Sequence, residues 1–492
     1  MLVFSSAAWK RHNKLAYGVG HFYNDLCACM WFTYLMLFLQ KVLKLNSAHT
    51  GFLMLVGQVT DGLCTPLVGV GSDRAALPMF VHRLFGRRKS WHFLGTLAVT
   101  LSFPFIFNRS FAVPEQQPPV NEWWKVVYYT PFIMLFQFGW ASVQISHLSL
   151  IPELTRCESE RTTLNSLRYA FTVLANMCVY GLLLFFFADA SHSDVKHTSP
   201  SDFWAYRDCD LLVVCVGCYA AAVFHFGVPN TTIRASTTMR RLDSVTSDEL
   251  TQRMAWTDWL KLPQFYQIGV LYTLTRLYVN ITQVYFPFYI ELTQHMSRRC
   301  VAELPMLIYI SSFVISNVTS ISCINRYLNR KLCYFIGCII GVACSCVMYI
   351  IGLDMWQMRA LSLLMGTANS LLLVGALAFA SDLIRHNAES GAFVYGCMSF
   401  SDKITNGIAF QVIELINPSC DPKEPHTACT YFYRNLMSLV PGSCALLAIV
   451  ILFVLLPQKI GHRVPAPRLL SDRGYTNSQA IGDDEEPILS TT

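Results

Sequence analysis

Ionisable side chains recur inside long apolar segments of this chain, where they are costly unless they face a cavity or a partner. His21 and Asp25 are four residues apart, so they share one face of a helix. Asp61, Arg276 and Lys403 lie in three other apolar segments. Acidic and basic groups of this kind can bind the charged ends of a small solute.

Other polar residues extend these positions into stripes at helical spacing. They are Gln58 and Thr65 near Asp61, Gln137, Gln144 and His147 around Trp140, Tyr272, Asn280 and Gln283 around Arg276, and Ser399, Asp402 and Asn406 around Lys403. Because the stripes occupy five segments, we expect them to line a water-filled pathway. The alternative is structural, with each pair only holding two helices together. For His147 and His225 alone, a structural role is the preferred interpretation.

The composition places the chain in a lipid bilayer. Of 492 residues, 53% are hydrophobic and only 14% charged, against about 25% charged in soluble domains. The net charge of +6 is too small to indicate nucleic-acid binding. The 18 cysteines are too few for a disulfide scaffold, and most lie in apolar segments. Disordered and collagen-like chains are excluded as well.

Twelve segments are apolar enough to span a bilayer, which needs about 20 residues per helix. They are 15–40, 50–72, 90–107, 124–151, 168–187, 211–228, 263–290, 305–324, 332–353, 360–384, 393–416 and 436–456. We therefore expect an all-α membrane protein with two six-helix bundles, residues 1–228 and 263–456. A cytosolic loop, 229–262, joins them, and a disordered cytosolic tail, 457–492, follows.

Orientation follows from the positive-inside rule. Lys and Arg are concentrated in the loops on the side of the N-terminus, so both termini are expected in the cytosol. Of the Asn-X-Ser/Thr sites, at Asn108, Asn230, Asn280 and Asn317, only Asn108 falls in a loop on the opposite side. Asn108 is the candidate glycosylation site, with an unused site as the alternative.

Cysteine pairing stays open at this stage. Cys420 and Cys429 share the last loop on the opposite side, and Cys209 and Cys300 lie on that side too. Disulfides are possible there in an oxidising compartment. The chain has no nucleotide-binding, metal-ligating or catalytic motif, which predicts no enzyme, no cofactor and no metal site.

The loop between the second and third segments carries a family signature. Gly69-Val-Gly-Ser-Asp73-Arg74 and Phe85-Gly86-Arg87-Arg88-Lys89 resemble the motif that the major facilitator superfamily places there, interrupted here by ten residues. The resemblance implies a gating motif at Gly69, Asp73, Arg74, Gly86, Arg87 and Arg88. Gly69 would permit close helix contact, and the basic cluster would stay cytosolic.

Two further motifs resemble the melibiose-permease branch of that superfamily, the glycoside–cation symporters. They are residues 17–25 and 61–66. The resemblance implies a sugar-binding role for Asp25, a cation-binding role for Asp61, and a counterpart of that branch's eleventh-helix lysine in Lys403. Thr65 replaces the second carboxylate, which argues against sodium coupling because a hard cation needs several oxygen ligands.

Longer blocks resemble a narrower family of lysosomal and melanosomal transporters within the superfamily. They are residues 20–28, 30–34, 57–69, 101–107, 136–142, 144–154 and 167–173. This resemblance implies import of cysteine from the cytosol, which influences melanin synthesis. It adds the lysosome and melanosome membranes as the location.

The zwitterion of cysteine needs an anion for its ammonium and a cation for its carboxylate. Asp25 and Asp61 are the candidate anions, Arg276 and Lys403 the candidate cations, and His21 and Gln144 complete the expected substrate site. Protons are a candidate coupling ion. The alternatives are a cation-coupled symporter of sugars or other small solutes, and a membrane scaffold that transports nothing.

The tail carries a possible address. Asp484, Ile488 and Leu489 fit an acidic dileucine pattern that a sorting adaptor can bind. A disordered tail in which these residues occur by chance is the alternative. Only a cytosolic tail can be read in this way.

Overall fold

The computed structural model describes residues 11–73, 85–111, 121–155, 157–189, 197–229, 256–320, 329–384, 388–418 and 427–461. Its regular structure within these ranges is helical, without strands. The first long helix, α1 (residues 11–42), is interrupted. The others are α2 (Ser47–Asp73), α3 (Arg87–Ile106), α4 (Trp123–Leu154), α5 (Glu158–Asp189), α6 (Phe203–Gly227), α7 (Pro263–Phe288), α8 (Cys300–Ser320), α9 (Arg330–Val347), α10 (Met355–Ile384), α11 (Ala388–Ile416) and α12 (Thr427–Leu455).

Among the described helices, nine are long and apolar enough to cross a membrane. The three that fall short, α3, α7 and α11, are of similar length but more polar. Helix α3 begins with a basic cluster, and α7 and α11 carry the polar stripes around Arg276 and Lys403. The all-α membrane fold expected from the sequence is confirmed, and polarity marks two helices that line its interior.

Helix α1 departs from the uninterrupted span that the sequence predicts. An α-helical piece, Arg11–Val19, ends before Gly20, and a second, Phe22–Cys29, follows His21. Two π-helical turns, Met30–Tyr34 and Phe38–Val42, complete the span. π-Helical turns are rare and frequently mark functional sites.

The helices form two halves, α1–α6 and α7–α12, which meet along defined pairs. Helix α2 packs along α11, α5 along α8, and the π-helical part of α1 against α7. Within the first half, α3 and α4 approach closely at Gly95 and Gly139, where an added Cβ would lie 2.7 to 2.8 Å from a backbone carbonyl oxygen. Small residues allow such contacts between membrane helices.

We call the face where α1 begins and α12 ends the terminal face. There Lys14 Nζ donates to Glu160 Oε1 at 3.2 Å. This bond, with a second from Thr155, lowers the pKa of Glu160. Lys331 Nζ donates to the carbonyls of Leu455 and Leu456 at the end of α12.

The opposite face is closed by hydrogen bonds between the halves. Gln40 Nε2 donates to Glu414 Oε2 at 2.7 Å, and the backbone N–H of Thr198 donates to Glu291 Oε1 at 3.0 Å. Arg298 is ion-paired with Asp202. The bonds that join the halves are therefore concentrated away from the terminal face.

The gating motif lies partly in the described ranges. Gly86 has a φ of 78° at the start of α3, a conformation that favours glycine. Arg87 and Arg88 both donate to Glu153 of α4, at 2.8 and 3.1 Å. Asp73 ends α2, and Arg74 lies outside the described residues.

Gly69 behaves differently from the expectation of close helix contact. Within the described part of the chain, nothing lies within 4 Å of a Cβ built on it. The close approach is at Gly71, where that atom would lie 2.9 Å from the Trp91 ring. Gly69 and Gly71 are two residues apart on α2, so they face different sides of the helix. The sequence motif did not show which of the two glycines contacts the neighbouring helix.

Cysteine pairing is resolved in part. Cys429 is disulfide-bonded, whereas Cys209 and Cys300 are free thiols. Cys420 lies outside the described residues. The central loop is described only from Trp256 onward, and the sorting residues of the tail also fall outside the described ranges.

Candidate substrate site between the two halves

Asp25 is a buried carboxylate of helix α1 in the first half. Its Oδ2 lies 3.0 Å from His21 Nδ1 and accepts a 2.8 Å hydrogen bond from Thr172 of α5. Asn24, beside it, donates to the carbonyl of Trp140 in α4 at 3.2 Å. Helices α1 and α5 thus fix this carboxylate, and α4 fixes its neighbour Asn24.

Arg168 of α5 supplies a cation to the same region. Its positive charge acts on His21 and on His147. Its Nε is buried without a hydrogen-bond partner among the described residues, where the side chain also has no ion pair. Arg168 as a whole is half-buried, and a guanidinium group in this position can bind an anionic group such as a carboxylate.

Asp61 and Lys403 bridge the halves. Lys403 Nζ lies 2.7 Å from Asp61 Oδ1 and donates to Thr65 Oγ1, also at 2.7 Å. Thr65 in turn donates to Asp61 Oδ1 at 3.2 Å. Thr65, which replaces the second carboxylate of the symporter motif, is therefore hydrogen-bonded to both Asp61 and Lys403.

Arg276 is held within the second half. Its Nε donates to Asp402 Oδ2 at 3.0 Å, and Asn406 Nδ2 donates to Asp402 Oδ1 at 2.6 Å. Asp402 is buried between them. Arg276 and Lys403, the cations expected to bind the substrate carboxylate, are both already paired in this conformation.

A cavity lies between α5 and helices of the second half. Its volume is about 70 Å³, and it is partly open. Asn369 Oδ1 is buried without a hydrogen-bond partner among the described residues, and Gln283 donates to Thr33 of α1 at 3.3 Å. The lining residues are Tyr180, Val279, Thr282, Gln283, Phe286, Pro305, Ile308, Tyr309, Ser312, Asn369 and Leu373.

The remaining candidates have fixed partners. Gln144 Oε1 accepts from Trp140 Nε1 at 3.0 Å. His147 stacks on Tyr17 with ring centroids 4.2 Å apart, and its Nε2 lies 2.8 Å from the Tyr17 carbonyl oxygen. Asn108 lies at the end of α3 on the opposite face and is half-buried. In the described ranges, no group of three His, Cys, Asp or Glu residues could hold a metal ion.

Sequence reasoning missed several of these residues. Arg168 begins an apolar segment and so resembles an ordinary flanking charge. Asn369 and Tyr309 give no signal, since a single amide or phenol is common in membrane helices. Asn369 and Tyr309 are distinguished only because both line one cavity, whose lining includes neither Arg168 nor Asp25.

The geometry can be compared with known proteins. The family described as MFS/sugar transport protein matches residues 16–461. The chain belongs to the major facilitator superfamily. It is 41% identical over 462 residues to "Major facilitator superfamily domain-containing protein 12" of Homo sapiens, covering 90% of this chain and 92% of that protein.

Solved transporters share the fold at low sequence identity. The crystal structure of a D-xylose–proton symporter has a TM-score of 0.64 and 14% identity, covering 90% of this chain and 97% of that one. The inward open xylose transporter XylE from E. coli has a TM-score of 0.59 and 14% identity, covering 87% and 94%. This superfamily member is therefore a membrane transporter and not an enzyme.

Proposed function

We propose that this transporter imports cysteine from the cytosol into lysosomes and melanosomes, and so influences melanin synthesis. The observation that carries the proposal is that a negatively charged and a positively charged side chain lie in the same region. Asp25 is an anion for the substrate ammonium, and Arg168, which has no ion pair within the described ranges, is a cation for its carboxylate. An amino acid needs both at once.

The revised roles follow from the ion pairs. Arg276 and Lys403 have carboxylate partners, so we assign them to helix positioning in this conformation. His21 and Gln144 stay in the proposed site, where they orient Asp25 and Trp140. The resemblance to lysosomal and melanosomal transporters supports the choice of cysteine over larger amino acids.

Alternating access around this site is the proposed mechanism. The bonds at the opposite face hold the halves together there. With the termini in the cytosol, substrate then enters from the terminal face. Release follows when the opposite face opens and the terminal face closes.

Uptake of labelled cysteine and of a sugar panel into isolated lysosomes, with and without the protein, tests the proposal. We expect protein-dependent uptake of cysteine and none of the sugars. Asp25→Asn and Arg168→Gln should abolish it, since each removes one charge that the zwitterion requires. Arg207→Gln is the matched control, because Arg207 pairs with its neighbour Asp208.

The second candidate is a cation-coupled symporter of sugars, which the family description favours. It predicts sugar uptake that depends on an ion gradient and needs Asp61. Cysteine uptake without sugar uptake excludes it. The reverse result would overturn the cysteine proposal.

We also propose that the tail directs the protein to lysosomes through Asp484, Ile488 and Leu489, by binding sorting adaptors. Substituting both Ile488→Ala and Leu489→Ala should raise the amount labelled by surface biotinylation. Unchanged lysosomal residence would mean that another segment carries the address. Asn108 remains our proposed glycan site on the lumenal side.

A further inference from the structure

Four buried histidines from four helices form a row in the first half. They are His225 of α6, His92 of α3, His147 of α4 and His21 of α1. Successive ring centroids are 5.0, 6.1 and 5.8 Å apart. The row ends at Asp25, 3.0 Å from His21 Nδ1.

The hydrogen bonds are consistent with neutral imidazoles that each have a donor and an acceptor nitrogen. Nε2 of His92 lies 2.9 Å from the Gly20 carbonyl oxygen, so it carries the proton. His92 Nδ1 then accepts from Nε2 of His225 at 3.1 Å. Nδ1 of His21, of His147 and of His225 have no hydrogen-bond partner among the described residues, although Nδ1 of His21 lies within 3.0 Å of Asp25 Oδ2.

The position of the row gives it a direction. His225 lies two residues before the end of α6 at Gly227, toward the terminal face. Asp25 lies in the substrate region, between α1 and α5. The row therefore spans the distance between that face and the carboxylate, through the interior of one half.

We propose that this row carries a proton between the terminal face and Asp25, so that transport is coupled to proton movement. A hydronium ion gives a proton to Nδ1 of His225 and becomes water, once movement of the helices opens this buried atom to the terminal face, and the proton on Nε2 passes to Nδ1 of His92. Transfer continues through His147 to His21, whose Nδ1 proton moves to Asp25 Oδ2. Each ring is neutral again after its transfer, and the carboxylate has gained one proton.

Two of these transfers need ring rotation. Nε2 of His92 and of His147 is held by a carbonyl of α1, from Gly20 and Tyr17 respectively. Both carbonyls lie where α1 is interrupted after Val19, and that of Tyr17 also accepts from the backbone N–H of Gly20 at 2.9 Å. A change in the bend of α1 would thus release the rings and link proton movement to the conformational cycle.

The charges around the row favour passage of a proton along it over retention of the proton on one imidazole. Lys89 of α3 faces His92 and His225, and Arg168 of α5 faces His21 and His147. Among the described residues, Asp25 and the Tyr17 phenol also adjoin the row. The two cations repel a proton that rests on an imidazole, whereas Asp25 attracts it. Histidine shuttles protons in this way.

The test uses the full-length protein in liposomes that contain a pH-sensitive dye. In His92→Gln and His147→Gln, the amide nitrogen can still donate to the α1 carbonyl but cannot take up a proton. We expect cysteine accumulation driven by a pH gradient, and cysteine-dependent proton movement, to fall about 100-fold. Cysteine exchange at equal pH should change less than about twofold, because exchange needs no net proton transfer.

His49→Gln is the matched control. His49 contacts Glu122 at the opposite face, away from the row, so both activities should be retained. Unchanged proton coupling in the two row variants would overturn the relay. Loss of exchange as well as coupling in correctly folded variants would show a structural role only and would also overturn it.

The inference rests on the proposed function only for the choice of cysteine. A wild-type protein that moves no cysteine contradicts that function alone. The relay is then judged by the dye-reported proton movement that accompanies uptake of whichever solute of the panel the protein does move, which the His92 and His147 variants must lower. Solute uptake without any accompanying proton movement in the wild type would overturn the relay independently.

Discussion

At the scale of single residues, the bridge between Asp61 and Lys403 joins the halves through two largely buried charges. Removing one partner leaves the other charge without compensation, whereas removing both leaves none. We therefore expect Lys403→Met and Asp61→Asn each to destabilise the protein by about 2 kcal/mol. The double variant should be more stable than either. Thermal unfolding in detergent and cysteine uptake measure the difference.

A surface pair in the second half provides the comparison. Arg330 and Asp382 are 2.5 Å apart but 52% and 36% exposed, so Arg330→Met should change stability by less than about 1 kcal/mol. If the double variant at the bridge is as damaged as the sum of its singles, the two charges act independently. The coupling free energy between Asp61 and Lys403 would then be close to zero.

The sequence could predict those residues whose charge conflicts with a lipid environment. Asp25, Asp61, Arg276 and Lys403 were identifiable because each lies well inside an apolar segment. Asp210 was not, since the predicted segment begins one residue after it. In the structure Asp210 is fully buried inside α6, and neither carboxylate oxygen has a hydrogen-bond partner among the described residues. Depth within a helix bundle depends on packing, which the position of a charge along the chain does not give.

At the scale of elements, the interruption of α1 depends on partners from other helices. Ending an α-helix leaves carbonyls without hydrogen bonds, and in a bilayer the protein itself must satisfy them. His147 and His92 bind the carbonyls of Tyr17 and Gly20, and the backbone N–H of Gly20 also donates to the Tyr17 carbonyl at 2.9 Å. Composition predicted the length of the span correctly but not its break, because the donors that permit the break are far away in sequence.

Gly20 is the residue that this arrangement requires to be small. A Cβ there would lie 2.4 Å from the Phe224 ring and 2.8 Å from the His147 ring. We expect Gly20→Ala to destabilise the protein by about 1–3 kcal/mol, because overpacking moves side chains and backbone, and to impair cysteine uptake. Thermal unfolding and uptake are the measurements.

Gly69→Ala is the control on α2. Since nothing among the described residues lies within 4 Å of its added Cβ, it should leave stability unchanged or slightly higher. Equal effects of the two substitutions would show that the contact at Gly20 gives way without penalty. The carbonyl-binding histidines would then not depend on a close approach of α1.

At the scale of the whole molecule, bonds at the opposite face select the conformation. The ion pair of Arg298 with Asp202, and the bonds of Glu291 and Glu414, all join one half to the other. These bonds are absent from any state in which that face is open. Each bond therefore favours the conformation that is closed at the opposite face over the conformation that is open there.

Breaking the Arg298–Asp202 pair should shift that equilibrium toward opening at the opposite face. Cys300 is a native reporter, since it is a free thiol, 7% exposed and two residues from Arg298. We expect Arg298→Gln to raise the alkylation rate of Cys300 by an impermeant maleimide about tenfold, which corresponds to about 1.4 kcal/mol. Mass spectrometry separates this thiol from the others.

Arg359→Gln is the matched control, because Arg359 pairs with Glu303 at 2.6 Å within one half and its loss should leave Cys300 protected. A Cys300 rate that is unchanged by Arg298→Gln, or raised equally by both substitutions, would mean that the pair does not hold the halves together. The closure of that face would then rest on the buried contacts of α1 and α7, which the sequence already supplies as apolar and aromatic side chains.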